Sequence, residues 1–143
     1  MLKLQYPFHS FKIKEEDGRE WIWDDVRKKW VRLTPEEWVR QNFVQYLVTQ
    51  CVYPAALMAV EKEIWLEDIK KRCDIVVYKD GKAWMIVECK EMNLPLGESV
   101  LRQALTYNIS LPVPYLVITN GTDACIFKRE NGLLTILDDL PRW

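Results

Sequence analysis

Hydrophobic and polar positions change their period several times along the chain. In residues 1–33 aromatic and charged positions are mixed, and "FKIKEEDGREWIWDDVRKKWVRL" reads as short strands around turns at Glu16-Asp17-Gly18 and Asp24-Asp25. Trp21 and Trp23 are two residues apart and therefore share a strand face. With Trp30 they are expected to cover one side of the core. A helical period follows. Thr34 suits an N-cap, Pro35 the first helical position, and Glu37 completes a Thr-x-x-Glu capping box. Trp38, Phe43, Tyr46 and Leu47 keep helical spacing to about Gln50, and Tyr53-Pro54 ends the element.

Strand patterning returns in "MAVEKEIWL" (58–66), "CDIVVYK" (73–79) and "AWMIVECK" (83–90), the last two rich in β-branched residues. "NLPLG" is a loop, and "ESVLRQALTYN" (98–108) is a short helix with Val100, Ala104 and Tyr107 near one face. "PYLVITNG" is an apolar run ended by Asn-Gly, as in a buried strand. "ACIFKRENGLLTIL" closes as a hairpin around Glu130-Asn131-Gly132. This order predicts the α/β class: a single three-layer α/β/α domain with a central mixed β-sheet over residues 34–143. An N-terminal β-hairpin extension, residues 1–33, precedes it and packs on the core.

Composition narrows the function classes. The chain has 143 residues, 49% of them hydrophobic, enough for one sizeable core. Its formal net charge is −1, so affinity for a polyanion requires a local basic patch. The four cysteines form no C-x-x-C pair and there is one histidine, which argues against zinc and for reduced core thiols. The N-terminal residues lack a signal-peptide pattern and no run is long enough to span a membrane, so a cytoplasmic protein with no membrane partner is expected. A Gly-rich phosphate loop, a nucleophile elbow and a Ser-His-Asp set are all missing.

The chemistry concentrates in "DIVVYKDGKAWMIVECK". Glu88 and Lys90 share a strand face while Cys89 points away. Asp74 can face Glu88 only if the paired residue numbers sum to 162. A three-residue Asp80-Gly81-Lys82 loop satisfies this. A two-residue Asp80-Gly81 turn puts Asp74 opposite Val87 instead, unless a bulge corrects the register. Two convergent carboxylates suit a hard divalent cation, Mg²⁺ or Mn²⁺, and a nearby lysine can orient water and offset phosphate charge. The competing reading is a salt-bridged strand end, Glu88 to Lys90 or Asp74 to Arg72. Gln103 and Tyr107, four apart on the second helix, could fix a phosphate or a water, or be ordinary helix residues.

The segments "TPEEWVRQ", "RCDIVVY", "WMIVECK", "RQALTYN" and "PYLVITNG" resemble the PD-(D/E)XK nuclease superfamily, over about residues 34–128. The match is nearest to the N-terminal nuclease domain of type I restriction enzyme R subunits and its small stand-alone relatives. The resemblance implies a Mg²⁺- or Mn²⁺-dependent nuclease. Asp74, Glu88 and the Cys89 backbone carbonyl would bind the metal, and Lys90 would position the attacking water. Gln103 and Tyr107 would support the site, and Glu37, or else Glu36, would join it from the first helix. DNA is the implied partner, with RNA as an alternative, through Lys71 and Arg72 and through Lys29 and Arg32 beside Trp30. A homodimer or association with a larger complex is left open. These 143 residues carry no helicase or methyltransferase segment, so the expected role need not be restriction. The rival expectation is a non-catalytic nucleic-acid-binding or protein-interaction module that keeps the nuclease fold.

Overall fold

A computed structural model describes all 143 residues. Its main sheet has seven strands. Strands β1 (Leu2–Lys3) and β10 (Leu133–Leu137) both pair with β9 (Asp123–Glu130). The sheet continues through β8 (Tyr115–Thr119), β7 (Lys82–Cys89), β6 (Ile69–Lys79) and β5 (Met58–Leu66). Only β7 and β8 run parallel, joined by the crossover helix α2 (Glu98–Asn108). Such a connection is what a parallel pair requires.

Period-two patterning places alternate strand residues in two cores. Ile75, Val77, Met85 and Val87 pack on one face with Val39, Phe43 and Leu47 of α1 (Pro35–Thr49). Val76, Ile86, Leu116 and Ile118 pack on the other with Ala104 of α2, joined by partly buried Leu101 and Leu105. Burial of the central strands on both faces explains their near-continuous apolar runs. The three-layer α/β/α arrangement with a mixed sheet is therefore present. All four cysteines are free thiols, and burial raises the pKa of each; for Cys73 it reaches about 11.

The N-terminal residues form more than a hairpin. Strands β2 (Ile13–Glu16), β3 (Arg19–Asp24) and β4 (Lys29–Arg32) make a separate antiparallel sheet. Its first turn holds Asp17 and Gly18 at φ 54° and 73°, as a type I′ turn demands. Upstream, β1 extends the main sheet, and Leu4 enters the α1-side core. The tryptophans do not cover that core: Trp23 and Trp30 stack edge-to-face on each other, 5.7 Å apart, on the small sheet.

One glycine fixes the seat of α1. Gly121, after β8, has φ +90°, and a Cβ there would lie 3.2 Å from Val39 Cγ2. Gly121→Ala is expected to cost about 1–3 kcal/mol through left-handed strain and this contact. Urea unfolding checks it; an unchanged midpoint would refute the close seat.

Candidate metal centre

The β6–β7 hairpin reaches the required register by the second of the two routes. Asp80 and Gly81 form a two-residue turn with φ 53° and 77°, pairing Lys79 with Lys82 and Tyr78 with Ala83. Trp84 is then skipped: Met85 pairs with Val77, Ile86 with Val76 and Val87 with Ile75. The bulge moves the ladder back to the 162 register, which holds as far as the Ile75–Val87 pair; beyond it Asp74 turns to Arg40 of α1 and Glu88 to Asn108 of α2. The three-residue loop is not used, because Asp80 accepts the left-handed conformation that a type I′ turn needs.

The two carboxylates then take different partners. Glu88 Oε2 accepts a hydrogen bond from Asn108 Nδ2 of α2 at 3.0 Å, and Glu88 Oε1 lies 3.2 Å from Lys90 Nζ. Asp74 Oδ2 accepts the Cys89 backbone N–H at 2.9 Å, and Oδ1 faces the Arg40 guanidinium, with Nη2 at 2.7 Å. The sheet is irregular at Asp74. Cys73 belongs to the α2-side core and Ile75 to the α1-side core, although residues two apart should share a face. Across the ladder, Glu61 has φ 50° and makes no pair with Asp74. A non-glycine residue in this region marks stored strain, which is commonest at functional sites.

The irregularity gathers three acids. Carboxylate oxygens of Glu36, Glu61 and Asp74 lie within 4.8 Å of one another. A single nitrogen, Arg40 Nη2, sits among them at 3.1, 2.9 and 2.7 Å respectively. Arg40 is only 5% exposed, and its Nη1 is held by Glu37 at 2.7 Å. Glu37 is also bonded to Arg27 and Gln41. Of the capping box, the half in which Thr34 Oγ1 accepts the Glu37 N–H forms, at 3.0 Å. The Glu37 carboxylate instead anchors Arg40, so Glu36, not Glu37, is the acid of α1 in the three-acid group.

Charge and burial set the protonation tendencies. Burial raises the pKa of Asp74 more than the hydrogen bonds from Arg40 and Cys89 lower it. Burial raises Glu36 too, with the Asp74 charge adding to the effect. For Glu61, burial pushes up, but hydrogen bonding and charge from Arg72 and Arg40 prevail and its pKa falls. Burial opposes the charge on Arg40, yet its acidic partners win and raise its pKa.

The remaining sequence candidates are spread out. Arg72 Nε binds Glu61 Oε2 at 2.9 Å, at the rim of the acidic group. Lys71 pairs with Ile64 further along β6. Gln103 and Tyr107 are exposed on α2, Tyr107 by 68%, and their side chains bond to none of Asp74, Glu88 or Lys90. Asn108 is the α2 residue that reaches Glu88. Its signal was available: four residues after Ala104, it continues the buried face of α2. Asn108 is 1% exposed and also donates to the Ala104 carbonyl at 2.6 Å. Asn108→Ala should therefore cost about 1–3 kcal/mol by leaving Glu88 Oε2 without its donor. Thermal unfolding checks this; a wild-type melting temperature would show the bond to be dispensable.

A family model described as the type I restriction enzyme R protein N terminus matches residues 35–141. The chain belongs to that family. Members of it carry a nuclease-like domain of restriction-endonuclease character, and this mixed sheet between two helical layers is consistent with that fold. The match begins at α1 and takes in both the Asp74 group and the Glu88–Lys90 pair, while the three-stranded sheet falls before it. No curated protein matches the chain closely enough to count as a relative.

The donor set, three carboxylates, fits a hard divalent cation in kind. The positive charge at its centre is that of Arg40.

Proposed function

We propose that the protein is a divalent-metal-dependent nuclease acting on phosphodiester bonds of DNA. The observation that carries this reading is the gathering of three carboxylates at Asp74, beside the Glu88–Lys90 pair. Asp74 and Glu88, with the Cys89 carbonyl, would hold Mg²⁺ or Mn²⁺, and Glu61 and Glu36 would add charge. Such an ion polarises a phosphoryl oxygen and acidifies a bound water. Lys90 Nζ, 3.2 Å from Glu88, would orient the attacking water and offset charge on the phosphate. Asn108 would hold Glu88 in place, and Arg72 at the rim would contact the DNA backbone. Gln103 and Tyr107 lie exposed on α2, where they are available to a bound strand rather than to the carboxylates.

One observation favours a second reading, a non-catalytic nucleic-acid-binding module. Arg40 Nη2 already neutralises the three acids, so an ion must compete with a buried guanidinium. Calorimetric titration with Mn²⁺ separates the two. The nuclease reading expects saturable binding that Asp74→Asn removes. Absence of heat, with DNA binding retained in chelator, would leave the second reading standing.

A further inference from the structure

The small sheet sorts its residues by face. Register places Lys14, Trp21 and Arg32 in one row and Glu16 and Arg19 in another on the same side. The row between them, Glu15 and Glu20, points the other way. Trp23 pairs with Trp30, and its N–H donates to the Lys12 carbonyl at 3.0 Å, so Lys12 continues that row. One face therefore holds three tryptophans with Lys12, Lys14, Arg19 and Arg32, against a single acid, Glu16. The opposite face holds Ile13, Ile22 and Val31, with the acids Glu15, Glu20 and Asp24.

The acidic face is the one turned to the body of the protein at Ile22 and Asp24, which are 0% and 1% exposed. Arg27 ties it down by binding both Asp24 and Glu37 of α1. Lys29 pairs with Asp24 and belongs to this side, so it does not accompany Trp30. Lys12, Arg19 and Arg32 are exposed on the other face, and the three tryptophans are half-buried there. None of the three belongs to either core. The Trp30 ring receives the Lys14 ammonium, 4.6 Å from its centroid, so its π-face meets a cation rather than apolar packing.

We infer that this face is a docking platform for single-stranded DNA, separate from the metal centre. Charge complementarity selects the partner: Lys14 takes the Glu16 charge at 3.0 Å, which leaves Lys12, Arg19 and Arg32 unpaired on a chain of net charge −1, and three indoles lie among them. Cations track phosphates, and indoles stack on bases without regard to sequence. Stacking needs base faces that a duplex keeps covered, which makes the strand single. The choice of DNA rests on the proposed function; the choice of a single strand rests on the sheet alone. Through Arg27 the platform is fixed to Glu37, the residue that also grips Arg40.

Fluorescence anisotropy in chelator, with the full chain and a labelled oligothymidylate, tests the platform without any cleavage. The single strand should bind at least about tenfold more tightly than a duplex of equal length, and the complex should weaken steeply with salt. Trp23→Ala with Trp30→Ala should weaken binding about 10-fold or more, since each stacked base contributes roughly 1–3 kcal/mol. Arg19→Glu with Arg32→Glu, at exposed positions that folding tolerates, should weaken it comparably and flatten the salt slope. Asp74→Asn should leave it unchanged. Wild-type affinity in both double variants, or equal affinity for duplex, overturns the platform. Tenfold tighter binding of RNA overturns the assignment to DNA. Loss of binding in Asp74→Asn would place the strand at the metal centre instead. Failure of cleavage with the platform's behaviour intact would sink the nuclease reading alone.

Discussion

Arg40→Gln is expected to lower the free energy of unfolding by about 3–5 kcal/mol, the usual effect of removing one partner from a buried ion pair. The side chain is 5% exposed and touches four carboxylates, those of Glu36, Glu37, Glu61 and Asp74. Glutamine keeps much of the volume and some hydrogen bonding but removes the charge that lets the acids lie together. Asp74, already raised by burial, loses the guanidinium that pulls it down, so its pKa should climb further. A raised carboxyl pKa contributes stability that is fully present below the unfolded value and lost as pH rises through the folded one. The variant should therefore gain on wild type as pH falls from neutral into the carboxylate range. Mn²⁺, if it enters the vacated centre, should stabilise the variant more than wild type by linkage. Urea unfolding with and without Mn²⁺ measures both effects. A variant that unfolds at the wild-type midpoint, indifferent to pH and metal, would show that Arg40 does not hold the acids together.

Asp74→Asn and Lys90→Ala are expected to abolish cleavage for different reasons, and the difference can be measured. Asparagine at position 74 keeps one acceptor for the Cys89 N–H but offers no carboxylate to a cation. It should lose metal binding and activity together. Lys90 pairs directly with Glu88 and reaches Glu36 through its charge alone, so alanine there should leave Mn²⁺ affinity near wild type. Its loss should slow cleavage by about 10²–10⁴-fold, the usual effect of removing a group positioned for proton transfer. Calorimetry and a cleavage rate on each variant separate the roles. Equal loss of metal binding in both would make Lys90 a structural partner of Glu88 and no more.

Elements with strong periods and clear stops were legible in the sequence. Helix α1 runs from Pro35 under a Thr34 cap, and α2 spans the predicted Glu98–Asn108. The 162 register of β6 and β7 was legible as a condition, because strand alternation is rigid; which turn met it, and the break in alternation at Asp74, were not. Two-residue and three-residue loops differ by one bulge, and only the packing of Trp84 among Tyr53, Tyr115 and Trp143 places that bulge.

The centre of the site was less legible. Neither Arg40 in α1 nor Glu61 in β5 stands in a motif that marks it as part of a site. Their importance comes from a positive φ at Glu61 and a missing ladder pair, neither of which has a sequence signature in a glutamate. Asn108 was read as the end of a helix rather than as part of its buried face. Lys29 and Arg32 were grouped by proximity in the chain, whereas alternation along β4 sends them to opposite faces.

Hydrolysis of a phosphodiester is the reaction proposed for the Asp74 centre. Its most direct test is the incubation of labelled single- and double-stranded DNA with the purified protein in Mg²⁺ or Mn²⁺, alongside Asp74→Asn, Lys90→Ala and a chelator control. Cleavage by wild type alone, lost in both variants and in chelator, is the predicted result. Equal and negligible cleavage by all three proteins, with either metal, would contradict it.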